Sequence, residues 1–155
     1  MQENLVHDLC GRRLRIRAHW EALLKMERTA TPLGRPELLV YLIDETLDEI
    51  FRTLRHDRAA PLPLETFAPP DRARCECGRN PFLTYFVAGE QAMLEELIHA
   101  QAEAADADRA ANVTAAAELS SLVRQLALRE VETFCSLCTH AAVFAKPPAP
   151  LAEDR

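Results

Sequence analysis

The chain has 155 residues, a length that suits one domain with a single core. Hydrophobic residues make up 48% of it, aromatics only 6%, and there are just 4 glycines, which argues against wholesale disorder and against an all-β design. The formal net charge of −6 gives no electrostatic footprint for nucleic acid or anionic lipid, and no apolar run approaches the about 18 residues of a membrane span.

The first predicted helix runs from about Asn4 to Thr29. Leu5, Leu9, Ile16, Trp20, Leu23 and Leu24 recur at near-helical spacing, with Val6, Leu14 and Met26 widening the stripe. Arg12, Arg13, Arg15 and Arg17 form a local basic cluster. It reads as a solvated helix face with long aliphatic stems, against the alternative of a docking patch for a partner or an anionic ligand. Pro32 and Gly34 close the segment.

The second helix starts at Pro36, where a missing N–H costs nothing, and fades near His56. Leu39, Leu42, Ile43, Leu47, Ile50 and Leu54 mark its apolar stripe, and Asp44, Glu45, Asp48 and Glu49 its other face. Pro61, Pro63, Pro69 and Pro70 then exclude a regular helix over 57–74, while Leu62, Leu64 and Phe67 favour a segment packed across the helices.

Cys75-Glu76-Cys77-Gly78 leads into Asn80-Pro81, a good N-cap followed by a good first helical residue. The third helix opens there, with Phe82, Leu83, Phe86, Met93, Leu94, Leu97 and Ile98 on its apolar face. Gly89 falls within that face, which predicts the close approach of a neighbouring helix. The helix weakens around Asp106, and Asp108 or Asn112 caps a fourth from about Val113 to Ala145. Ala116, Leu119, Val123, Leu126, Phe134 and Leu137 mark its buried side. The expectation is an all-α protein, an antiparallel up-down four-helix bundle with a long Pro-rich connection between helices 2 and 3. One domain covers 1–145, and 146–155 form a disordered Pro-rich tail.

Folding this line at its turns brings the cysteines together. Reflection about Arg109 sets Pro81 beside position 137, so Cys75 and Cys77 meet Cys135 and Cys138. Reflection about Pro32 sets Cys10 near Arg55 and His56. In an up-down bundle all five cysteines, with His7, His56 and His140, then share one end.

The local spacings suit a metal. Cys135 and Cys138 are i,i+3 on a helix, and Cys75-x-Cys77-Gly78 resembles a knuckle turn. Four thiolates at about 2.3 Å make a closed tetrahedral zinc shell, structural rather than hydrolytic. Cysteine-only ligation also suits an iron–sulfur cluster with an electron-transfer or enzymatic role, the second reading after zinc, and a metal-free thiol/disulfide redox protein is the third. Cys10 is the spare thiol: a core cysteine, or a partner that displaces a zinc ligand on oxidation. His7 and His140 stand as alternative ligands.

Other motifs carry less. Glu96-x-x-His99 is a single Glu-x-x-His where a di-iron bundle needs two, with Glu90 and Glu130 as the further glutamates. Cys135-x-x-Cys138-Thr139-His140 misses the haem attachment run because Thr139 intervenes. There is no phosphate loop, nucleophile elbow or assembled nucleophile–base pair, so an enzyme is not the favoured reading. The N-terminus has no basic region followed by an apolar stretch, giving the expectation of a cytoplasmic protein. In sum the sequence predicts a small regulatory or protein-interaction module with a four-cysteine zinc site, redox- or metal-sensing, with a protein partner.

Overall fold

The computed structural model describes residues 3–26, 36–56, 80–104 and 109–137. Among these residues the chain is helical throughout, and no helix is long and apolar enough to cross a membrane. The Pro-rich segment 57–74 and the tail 146–155 lie outside the described residues.

The first arm is two helices, α1 (Glu3–Gly11) and α2 (Arg13–Met26), rather than one. The break falls where Gly11, a weak helix former, meets Arg12, whose N–H is shared between the carbonyls of Asp8 (3.2 Å) and Leu9 (3.1 Å). The second arm begins as a 3-10 segment, Pro36–Leu42, and becomes α3 at Ile43–His56. Residues three apart eclipse in a 3-10 turn. Leu39 and Leu42 therefore pack together on the core, while Leu38 and Tyr41 are both exposed.

Helix α4 (Pro81–Glu103) starts where the sequence indicates: Asn80 has extended backbone, and its side chain accepts the Phe82 N–H at 3.0 Å. Helix α5 spans Arg109–Leu137, starting before the expected Val113. Asn112 lies inside it and is not its cap; its carbonyl accepts a bond from Gln101 Nε2 at 3.0 Å.

The core is built from the expected stripes. Leu9, Ile16, Trp20, Leu24, Ile43, Leu47, Ile50, Met93, Leu97, Leu119 and Val123 are all fully buried, and so is Tyr85. Leu14, Met26, Ile98 and Leu137, assigned to the same stripes, are exposed. Ile98, for example, follows buried Leu97 and is turned about 100° from it on the helix. Gly89 meets the predicted close approach: a Cβ there would lie 2.5 Å from Trp20 Cε2 and 2.6 Å from Cη2. The Trp20 indole is held by its Nε1, which donates to the Tyr85 carbonyl at 2.9 Å.

Helix α4 packs on α5, α2, α1 and the 3-10 segment; α3 packs on α1, α2 and α5. Their directions follow from the contacts. Arg12 meets Glu96 and Glu103 while Trp20 meets Tyr85, so α2 and α4 run oppositely. Arg17 meets Asp44, Arg13 also reaches Asp48, and Cys10 meets Arg55, so the first arm and α3 run oppositely too. Asn80 meets Val131 and Gln101 meets Asn112, so α4 and α5 are likewise opposed.

One consequence corrects the predicted topology. Since α3 and α4 both run counter to α2, they run the same way, and the chain does not alternate up and down. Short links force antiparallel neighbours, and the links before α3 and before α5 obey that rule. The link over 57–79 is long enough to return along the helices, and it joins the far end of α3 to the near end of α4.

Candidate thiol site

Cys135 sits in the last turns of α5, half-buried, beside the start of α4. The neighbour that defines its setting is Asn80, only 3% exposed. The Asn80 Nδ2 donates to Cys135 Sγ at 3.4 Å and to the Val131 carbonyl at 3.1 Å, while its Oδ1 caps α4. Phe82 and Phe134 close the junction edge to face, ring centres 6.0 Å apart. The predicted meeting of the α4 start with the Cys135 turn of α5 is thus observed, within about one helical turn. Cys75, Cys77, Cys138 and His140 lie outside the described residues.

Cys10 is half-buried on α1, and Arg55 Nη2 donates to its Sγ at 3.2 Å, the neighbour that reflection predicts. It does not share an end with Cys135. Cys10 and Arg12 are level with Glu96–Glu103, the far end of α4, whereas Cys135 is level with Asn80. About 20 helical residues separate those levels, on the order of 30 Å. His7 belongs to the Cys10 end: it is exposed and lines a shallow hollow with Asp8, Gly11, Arg12, Ala100 and Glu103. Neither Cys10 nor His7 is therefore brought to Cys135, and the single end holding every thiol is not formed. The cause is the same-way run of α3 and α4, which sends the first arm's cysteine to the opposite end. Among the described residues no group of three or more His, Cys, Asp or Glu is arranged to hold a metal ion.

The arginine cluster at the start of α2 is engaged in ion pairs along a partly solvated face, on which Arg15 is exposed. Arg12 bonds Glu96 and Glu103, Arg15 pairs with Glu96 at 3.2 Å, Arg13 bonds Asp44 and Asp48, and Arg17 bonds Asp44 at 2.9 Å. The cluster staples α2 to α3 on one side and to α4 on the other. Glu96 is buried between Arg12 and Arg15 while His99 is exposed, so the two do not project inward together as a Glu-x-x-His ligand pair must. Glu90 is taken by Ser120 and Arg124, and Glu130 by Arg129. These carboxylates are spent on cations and do not converge on a di-iron site.

A hollow of about 170 Å³ lies between α3, α4 and α5, over Leu42, Phe82, Phe86 and Leu126. Several of its polar side chains are paired. Thr46 and Tyr85 share a hydroxyl bond of 2.8 Å, and Arg129 holds Glu49 through two bonds of 2.9 and 3.1 Å. The Arg129 hydrogen bond keeps the Glu49 carboxyl below its usual range, against an opposing push from burial. Among the described residues every buried side-chain nitrogen and oxygen has a partner.

Asn80 is the thiol partner that sequence reasoning missed, whereas Arg55 was placed near Cys10 by reflection. Asn80 was legible as a cap; its second role needed the register between α4 and α5. Comparison with family models, with curated proteins and with solved structures finds no match to this chain.

Proposed function

We propose that Cys75, Cys77, Cys135 and Cys138 form a four-thiolate zinc site, and that the protein is a small cytoplasmic regulatory or protein-interaction module whose thiol centre senses metal or redox state. The carrying observation is the 3.4 Å contact from Asn80 Nδ2 to Cys135 Sγ. Chain connectivity makes it informative: Cys77 is three residues before Asn80, so their Cα atoms are within about 11 Å, and Cys138 is three residues past Cys135. An N–H donated to sulfur favours a thiolate, the form that binds metal. A fully occupied four-sulfur shell leaves no open position for hydrolysis, so the role is structural or sensory rather than catalytic.

The site belongs, in this reading, to a four-helix bundle within a single domain of residues 1–145. The opposed directions of α2 and α4, α4 and α5, and α2 and α3 support that arrangement. Cys10 and His7 are no part of the site in this arrangement, and a protein partner would read its state at the Asn80 end.

Elemental analysis of untagged protein purified without oxygen tests the reading. One zinc per chain is expected, lost together with thermal stability in Cys77→Ser and in Cys138→Ser. Brown protein absorbing near 400 nm would replace zinc by an iron–sulfur cluster. Metal-free protein with five titratable thiols would overturn the metal reading.

A further inference from the structure

The three hydrogen bonds of Asn80 join elements that share no backbone. Its carbonyl oxygen caps α4 through the Phe82 N–H, and its amide nitrogen spends its two protons on α5, one on the Val131 carbonyl and one on Cys135 Sγ. Val131 and Cys135 are i,i+4, so both acceptors lie on one strip of α5, a turn apart. The amide is buried, where leaving a donor or acceptor unpaired is costly. A change at the sulfur must therefore be answered by the amide, and a rotation of the amide also withdraws the cap from α4.

We propose that Asn80 is a positioning residue for the thiol site: it orients the Cys135 sulfur for metal and transmits occupancy of that sulfur to the first turns of α4. The proposal rests on the zinc reading above. With zinc bound, Cys135 is a fixed, negatively charged acceptor, and a charge-assisted bond holds the amide and hence the cap. Without metal the sulfur is a weaker and more mobile acceptor, and the cap loosens. The first turns of α4 carry Phe82, Tyr85 and Phe86, so the signal reaches the aromatic cluster that includes Trp20. Metal occupancy would in this way set the order of a surface between α4, α5 and α3.

The test uses the full chain and zinc itself, with competition against a chelator for affinity and amide hydrogen exchange at Leu83–Phe86 for α4. Asn80→Ser keeps a good N-cap but removes both donors to α5. Zinc is expected to slow exchange at the start of α4 in the natural protein. In Asn80→Ser zinc binds about 10–100-fold more weakly and no longer slows that exchange. Asn80→Asp, which keeps the size and the cap but sets a carboxylate against the sulfur, weakens zinc by at least as much and guards against a folding defect peculiar to serine. Natural zinc affinity with natural α4 protection in both variants overturns the proposal and leaves the zinc reading standing. If the natural chain takes up no zinc, that reading falls instead, and a double-mutant cycle of Asn80→Ser with Cys135→Ala on metal-free protein decides the coupling. Non-additive loss of protection keeps the link between Cys135 and α4; additive loss overturns it.

Discussion

Gly89→Ala sets two effects of opposite sign against each other at one atom. In a helix interior alanine is favoured over glycine by about 1 kcal/mol. At Gly89 the added methyl would lie 2.5–2.6 Å from two carbons of the Trp20 indole, well inside contact distance. The indole is fully buried, and its N–H is committed to the Tyr85 carbonyl at 2.9 Å, so it cannot retreat freely. Overpacking costs about 1–3 kcal/mol, and an orphaned indole N–H adds about 1–3 kcal/mol if the ring turns away. After subtracting the gain in propensity, the expected loss is up to about 2 kcal/mol if the ring keeps its hydrogen bond and about 1–5 kcal/mol if it turns away. Gly11→Ala is the control: nothing lies within 4 Å of its added Cβ, and a gain of about 0.4–1 kcal/mol is expected. Urea unfolding followed by the single tryptophan and by far-ultraviolet circular dichroism measures both. The pair Gly89→Ala/Trp20→Phe, which shrinks the obstructing ring, should lose less than the sum of its single changes. Gly89→Ala above natural stability would refute the close approach of α2 and α4 on which the core is built.

The acid limb of the stability curve should report the arginine staples. Asp48 and Glu49 are both held below their usual carboxyl range, chiefly by hydrogen bonds from Arg13 and Arg129 respectively. Folded-state values below the unfolded ones mean that the contribution is present above the unfolded values of about 4 and is lost as pH falls through the folded ones. The urea midpoint should decline below about pH 4, and more gently in Asp48→Asn/Glu49→Gln; identical acid profiles would sink the assignment. Cys10→Ser should leave zinc content unchanged, and mild oxidation of monomeric protein should yield no Cys10–Cys135 cross-link. A peptide map containing that cross-link would overturn the separation of the two thiols.

The sequence made the helix boundaries legible wherever a local chemical signal exists. Asn80-Pro81 announces α4 because cap and first-turn preferences act within a few residues, and Gly89 announces a close neighbour because only an approaching side chain repays a glycine inside a helix. The break at Arg12 and the 3-10 start at Pro36 were not legible, since both interrupt an apolar stripe that continues across them. Nor were the partners of Arg12 and Arg15: which carboxylate an arginine meets depends on how two helices are rotated, and Glu96 looks solvated until α2 is set against it. The largest miss was directional. Reflection works across the short link between α4 and α5, and there it set Cys135 beside the α4 start. It fails across 57–79, where length removes the antiparallel constraint, and so the thiols of α1 and α5 separate.

The register of α4 on α5 decides whether the proposed thiol site is a local or a global property, and Glu90→Ala tells these apart. Three levels hold that register: Asn80 on Val131, Glu90 on Ser120 and Arg124, and Gln101 on Asn112. The middle level is ten residues from Asn80, about 15 Å along the helix. Glu90→Ala leaves Arg124 without its carboxylate in a half-buried setting, which costs about 1–3 kcal/mol. A slip of α5 by one turn, 5.4 Å, would be needed to move Cys135 away from Asn80, and that slip would break both remaining levels and unseat Leu119 and Val123 from the core. The variant should therefore unfold at lower urea while its zinc affinity stays within about threefold of the natural protein, far from the 10–100-fold loss expected of Asn80→Ser. Equal zinc loss in the two variants would mean that any loosening of the helix pair dissolves the site. Asn80 would then act through general stability and not through its bond to the sulfur.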